Sequence, residues 1–95
     1  MSLLLLYCNT SSTADSIVAD VDAGSLFSVS MGTTSKAASY SRWCIVECTE
    51  TRANNILAAD YDREDIDLVY YTTAPDSFTE ADSLQKMWYL RGKLD

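Results

Sequence analysis

The chain has 95 residues, of which 47% are hydrophobic and 22% charged, which is typical of one folded globular domain and not of a disordered chain. Fourteen acidic residues against seven basic ones give a net charge of −7, and such a surface repels the phosphates of nucleic acid and of anionic lipid. We therefore expect a single domain with no direct contact to nucleic acid or membrane, for which a basic protein surface is the electrostatic complement.

The first third of the chain predicts a strand, a helix and a second strand. Leu3 to Cys8 is a short apolar run ended by polar turn formers, which favours a buried strand. Ser12 to Asp15 matches a capping box, and a helix then extends to Gly24, where a left-handed C-cap would end it. Residues 26–31 alternate between apolar and polar side chains, the period of a half-buried strand. The apolar positions at helical spacing are Ala14, Ile17, Val18 and Val21.

The middle of the chain predicts an arm and a third strand. Residues 32–41 are rich in hydroxyl side chains and have no clear period, so we predict a protruding loop or arm there. Residues 42–49 are β-prone, and alternate side chains of a strand point to opposite faces. One face then carries Cys44, Val46 and Cys48, and the other carries Trp43, Ile45 and Glu47.

The last part of the chain predicts a helix, a strand and a second helix. Residues 51–59 place Ala53, Ile56 and Leu57 on one helical face. An acidic turn over residues 60–67 leads into a strand over residues 66–73, which Pro75 ends. A second capping box at residues 77–80 opens a C-terminal helix as far as Arg91, although residues 87–91 also suit a strand. Its broad apolar surface consists of Leu84, Met87, Trp88 and Leu90.

The order of these elements predicts an α+β fold. Strand, helix, strand, strand, helix, strand is the βαββαβ order of ferredoxin-like sandwiches, in which an antiparallel four-stranded sheet carries two helices on one face. A C-terminal helix is added here. Because this architecture hosts many unrelated functions, it does not by itself indicate one.

The cysteines and the N-terminal residues indicate the compartment. Three cysteines, Cys8, Cys44 and Cys48, are an odd number without the spacing of a secreted disulfide scaffold. The opening apolar run has no basic residues before it and ends at Cys8, unlike a signal peptide. No stretch approaches the roughly 20 apolar residues of a membrane span. We expect an intracellular or virion protein with reduced thiols, not one secreted through a signal peptide.

No motif predicts catalysis or a cofactor. The chain has no histidine, which removes the commonest general base and metal ligand. Cys44 and Cys48 lie roughly 13 Å apart in an extended strand, too far for a disulfide, and no second ligand pair completes a zinc site. Buried apolar thiols are the favoured interpretation. Gly32 to Lys36 lacks the spacing and the following helix of a phosphate-binding loop. We therefore predict no enzyme activity, cofactor or metal.

An acidic stretch stands out at residues 60–67, which hold five carboxylates. Its pattern fails that of an EF-hand, because Asp65 replaces the required glycine and Tyr71 the required glutamate. A solvated turn, electrostatic docking to a basic partner and a loose divalent-cation site are all compatible with it, with the solvated turn favoured.

Aromatic residues are plentiful, and tyrosine and tryptophan are common at interface hot spots. Tyr70 and Tyr71 are adjacent in a predicted strand, so they point to opposite faces and one of them is available to a partner. Trp43 and Trp88 suit a core more readily than an interface.

These observations predict a small non-catalytic structural or accessory protein that acts through contacts with other protein subunits, either in a homo-oligomer or in a larger assembly. A capsid-associated or head–tail component of a virion is the concrete form we expect. The alternative is an acidic inhibitor of a nucleic-acid-binding complex, of the anti-defence or DNA-mimic type. The predicted partner-binding residues are Lys36, Tyr40, Asp60, Asp62, Glu64, Asp65, Tyr71 and Trp88.

Overall fold

A computed structural model describes residues 2–59, 66–72 and Tyr89, with residues 67–72 described by their backbone alone. These residues form a small α+β fold with an antiparallel sheet and two helices, which confirms the predicted class. The elements in chain order are β1 (Ser2–Cys8), α1 (Ser11–Asp22), β2 (Ser25–Leu26), β3 (Val29–Ser30), β4 (Lys36–Tyr40), β5 (Trp43–Cys48), α2 (Glu50–Ala59) and β6 (Ile66–Thr72).

The strands of the main sheet lie in the order β4-β5-β1-β6, and every neighbouring pair is antiparallel. β2 and β3 form a separate two-stranded hairpin. β1 lies inside the sheet because its leucines give it apolar side chains on both faces. Leu4 and Leu6 face one core, Leu3 and Leu5 face another, and all four are buried.

The larger core lies between the sheet and both helices. Its buried members from the helices follow the predicted helical spacing, and Val18 and Leu57 pack against it half-buried. Cys44, Val46 and Cys48 supply the β5 side, as the alternation in that strand predicts. The buried helix residues are Ala14, Ile17 and Val21 of α1 and Ala53 and Ile56 of α2.

A smaller core lies on the other face of the sheet. It consists of Leu3, Leu5, Ala38 and Ile45, with Trp43 packed against it. Leu5 and Ile45 have no exposed surface at all. The centre of the sheet is therefore buried on both faces. We call the face without α1 and α2 the second face.

The first helix begins two residues earlier than the capping box predicts. Thr10 is the N-cap, because its backbone is extended and its hydroxyl accepts a hydrogen bond from the Thr13 amide at 3.1 Å. Ser12 and Asp15 are therefore inside the helix, and the predicted capping box is wrong. The predicted end is confirmed, since Gly24 follows the C-cap with a φ of 98° and donates to the Val21 carbonyl.

The strand predicted over residues 26–31 is wrong. Instead, β2 and β3 form a tight hairpin in which Leu26 pairs with Val29. The two turn residues, Phe27 and Ser28, both have positive φ angles of 51° and 66°, as a type I′ turn requires. Alternation of apolar and polar residues did not reveal this turn, because neither residue is one that usually adopts this conformation.

The arm predicted over residues 32–41 is also wrong in its larger part. Residues Lys36–Tyr40 form β4, which pairs with β5 across the two-residue turn Ser41-Arg42. Alanine and serine have weak strand propensity, so tertiary pairing decides the conformation here. The strands predicted at 3–8, 42–49 and 66–73 and the helix at 51–59 are confirmed within two residues. The predicted C-terminal helix lies outside the described residues, apart from Tyr89.

Candidate interaction surface

The predicted partner-binding residues fall into three groups. Lys36 and Tyr40 lie at opposite ends of β4 and are exposed. Tyr71 lies in β6 opposite Leu4 of β1. The remaining predicted residues, Asp60, Asp62, Glu64, Asp65 and Trp88, lie outside the described part of the chain, so the acidic-inhibitor function that rests on residues 60–67 stays a prediction.

A row of three aromatic residues crosses the second face beside the β4–β5 turn. Tyr40 of β4 lies opposite Trp43 of β5, and Trp43 lies opposite Tyr7 of β1. The Tyr7 and Trp43 rings are 4.5 Å apart between centroids and inclined by 41°. Aromatic pairs in cross-strand register stabilise a sheet and keep their rings in a defined orientation. We call Tyr7, Trp43 and Tyr40 the aromatic row.

Arg42 holds its guanidinium against this row. Its Cζ lies 4.3 Å from the centroid of the Tyr7 ring, a cation–π contact. Its Nε donates a hydrogen bond to the Cys8 carbonyl at 2.8 Å, and the Cys8 amide donates to the Arg42 carbonyl. The sequence prediction missed Arg42 and Tyr7. The one available signal was that Tyr40, Arg42 and Trp43 lie close together in the sequence.

Tyr89 joins the row from the C-terminal part of the chain. Its ring lies 4.5 Å from that of Tyr40, centroid to centroid, at an interplanar angle of 53°. Tyr40 is 40% exposed and Tyr89 is 51% exposed. Among the described residues these two are the exposed large hydrophobic side chains, and they touch each other. We call them the tyrosine pair.

Lys36 belongs to a different part of the second face. It lies opposite Glu47 of β5, and Glu47 lies opposite Leu3 of β1. Lys36 is four residues from Tyr40 along the strand, a separation of roughly 13 Å. The structure therefore does not bring these two predicted residues together.

A shallow cavity of about 480 Å³ lies at the C-terminal end of α1, beside the β2–β3 hairpin. Its lining includes Asp22, Gly24, Ser30, Gly32, Thr33 and Ser35. Ser35 donates to the Met31 carbonyl and Lys36 begins a strand, so the helix that a phosphate-binding loop needs does not follow. No three metal-ligating carboxylates or thiols lie together in the described part of the chain.

The three cysteines are buried thiols and form no disulfide, as predicted. Burial raises the pKa of Cys44, and the nearby Cys8 and Asp15 raise it further. Burial also raises the pKa of Cys48, although the positive charge of Arg52 opposes part of the effect. Thiols held in the protonated form are poor nucleophiles and poor metal ligands.

Comparison with protein-family models, curated proteins and solved structures found no match for this chain. Neither α1 nor α2 is long and apolar enough to cross a membrane. The aromatic row, the tyrosine pair and the charge of the chain are therefore the features that bear on function.

Proposed function

We propose that β1, β4, β5 and β6 with the two helices form a ferredoxin-like sandwich. The sheet order supports this. When only the long strands are counted, β1, β4, β5 and β6 are strands 1, 2, 3 and 4, so the sheet order is 2-3-1-4. Two βαβ units produce this order. The contribution of α1 and α2 to one core supports it as well. In this description the β2–β3 hairpin is an insertion between α1 and β4.

We propose that the protein is non-catalytic and works through protein–protein contacts, as a structural or accessory subunit of a larger assembly such as a virion. The observation that carries this proposal is the exposed tyrosine pair at the end of the aromatic row. Tyrosine, tryptophan and arginine are the residue types that supply most binding energy at protein interfaces. Residues of all three types are in contact beside the β4–β5 turn.

Exposure of the tyrosine pair has a cost that a partner would remove. Apolar surface in water is unfavourable by about 25 cal/mol for each Å² that a contact could bury. Single exposed apolar residues are common on monomers and need no explanation, whereas Tyr40 and Tyr89 are exposed side by side. The neighbouring rings of the row, Tyr7 and Trp43, are half-buried and contact each other at an angle of 41°, so they provide a firm base for a contact.

Site-specific photo-cross-linking in the native host tests this proposal. A photoreactive phenylalanine analogue replaces Tyr40 in one variant and Ala58 in the other. Ala58 is exposed on α2, which packs on the opposite side of the sheet, so it is a matched control. We expect position 40 to form one covalent adduct of defined mass with an assembly subunit in fixed stoichiometry, and position 58 to form none with it. Equal adducts at both positions, or none at position 40, would contradict the proposal.

A further inference from the structure

The tyrosine pair has the chemistry of a site for a positively charged side chain. We propose that Tyr40 and Tyr89 receive a lysine or arginine side chain of a partner protein. This inference rests on the proposed function and deepens it, because it names the chemical group that the partner presents.

The geometry of the two rings suits a cation. Their centroids are 4.5 Å apart and their planes are inclined by 53°, so the faces are not stacked flat against each other. About half of each side chain is accessible to solvent. An ammonium or guanidinium group within about 6 Å of a ring centroid is attracted by the negative face of the ring, and two inclined rings offer two such faces.

The charge of the chain selects a basic partner over the other candidates. With a net charge of −7, the protein raises the local concentration of cationic groups near its surface. A second copy carries the same charge and is repelled, and the phosphates of a single-stranded nucleic acid are repelled for the same reason.

Within the chain itself, one ring of this row binds a guanidinium. Arg42 lies 4.3 Å from the centroid of Tyr7, at the far end of the row from Tyr89. The hydrogen bond from its Nε to the Cys8 carbonyl holds its guanidinium in place against Tyr7. The tyrosine pair repeats the same aromatic surface at the exposed end of the row.

The test measures the binding of a hexa-arginine peptide to the full chain by isothermal titration calorimetry. Tyr40→Leu and Tyr89→Leu keep an apolar side chain and leave the net charge unchanged, so general electrostatic attraction is the same in all three proteins. We expect each leucine variant to bind about two- to fivefold more weakly, the range for exposed cation–π contacts. Tyr40→Phe keeps the ring and should bind like the parent protein. Thermal unfolding confirms that each variant is folded before titration.

Two results would overturn this inference. One is that hexa-arginine does not bind, or that it binds the parent protein and both leucine variants with equal affinity. Asp20→Asn removes the charge of an exposed acid on α1, and its effect on the affinity then measures the general electrostatic attraction. The other is tighter binding of a thymidine oligonucleotide than of the peptide. A cross-link from position 40 combined with either result would leave the proposed function standing and remove the basic side chain as its ligand.

Discussion

The guanidinium of Arg52 lies directly over the backbone of Gly32, where its Nη2 would be 2.7 Å from a Cβ atom at that position. Its Nε donates a hydrogen bond to the Ser30 carbonyl at 3.0 Å. Arg52 thereby connects α2 to the chain that leaves the β2–β3 hairpin. Gly32 also has a φ of 66°, so a side chain there is unfavourable for two separate reasons.

We expect Gly32→Ala to lower the free energy of unfolding by about 2–3 kcal/mol in urea denaturation. Left-handed backbone at a residue with a Cβ costs about 1–2 kcal/mol, and displacement of the Arg52 guanidinium costs its hydrogen bond, worth about 1 kcal/mol. Gly24→Ala is the matched control, because Gly24 has a φ of 98° and open space around it. The control should lose the backbone contribution alone, and equal losses would mean that the Arg52 contact contributes nothing.

A glycine in the type I′ turn at Phe27 and Ser28 should stabilise the folded protein. Glycine adopts positive φ without steric cost, whereas serine at 66° does not. We expect Ser28→Gly to raise the midpoint of urea denaturation by an amount equivalent to about 0.5–1 kcal/mol. Ser25→Gly, at an exposed position in β2, should have the opposite effect because glycine weakens a strand. A stabilising effect of both changes would argue against the turn.

Thr10 should be the residue whose loss weakens the start of α1. Thr10→Ala removes the side-chain acceptor of the Thr13 amide, so we expect a loss of about 1 kcal/mol in the free energy of unfolding. Ser12→Ala is the control, since Ser12 is exposed within the helix and alanine is a good helix former. Its expected effect is zero or a slight stabilisation. The reverse ranking of the two variants would restore Ser12 as the cap.

Buried thiols make stability depend on pH in alkaline solution. The pKa of Cys44 is raised in the folded protein, so the folded chain keeps a proton that the unfolded chain releases. This contribution to stability is complete below about pH 9 and is lost as the pH rises further, by about 1.4 kcal/mol for each pH unit. Denaturation in urea between pH 7 and pH 10.5 measures it. Cys44→Ala should be less stable at pH 7 but show a shallower alkaline slope; parallel slopes in both proteins would refute the assignment.

Local patterns in the sequence were sufficient for the elements with strong periodicity. The four leucines of β1, the spacing of Ala14, Ile17 and Val21, and the alternation around Cys44 each determine which side chains become buried. The hydrophobic effect acts on these patterns in the same way in any compact arrangement. The absence of histidine and the charge of −7 likewise follow from the sequence alone and bound the chemistry of the surface.

Tertiary structure alone decided the weakly patterned segments and the interaction surface. Lys36–Tyr40 has little strand propensity and becomes a strand because β5 supplies its hydrogen-bond partners. The aromatic row likewise exists because the register of three strands places Tyr7, Trp43 and Tyr40 side by side. Tyr89 meets Tyr40 although the two are far apart in the chain. Such contacts depend on register and long-range packing, which a pattern within one segment does not encode.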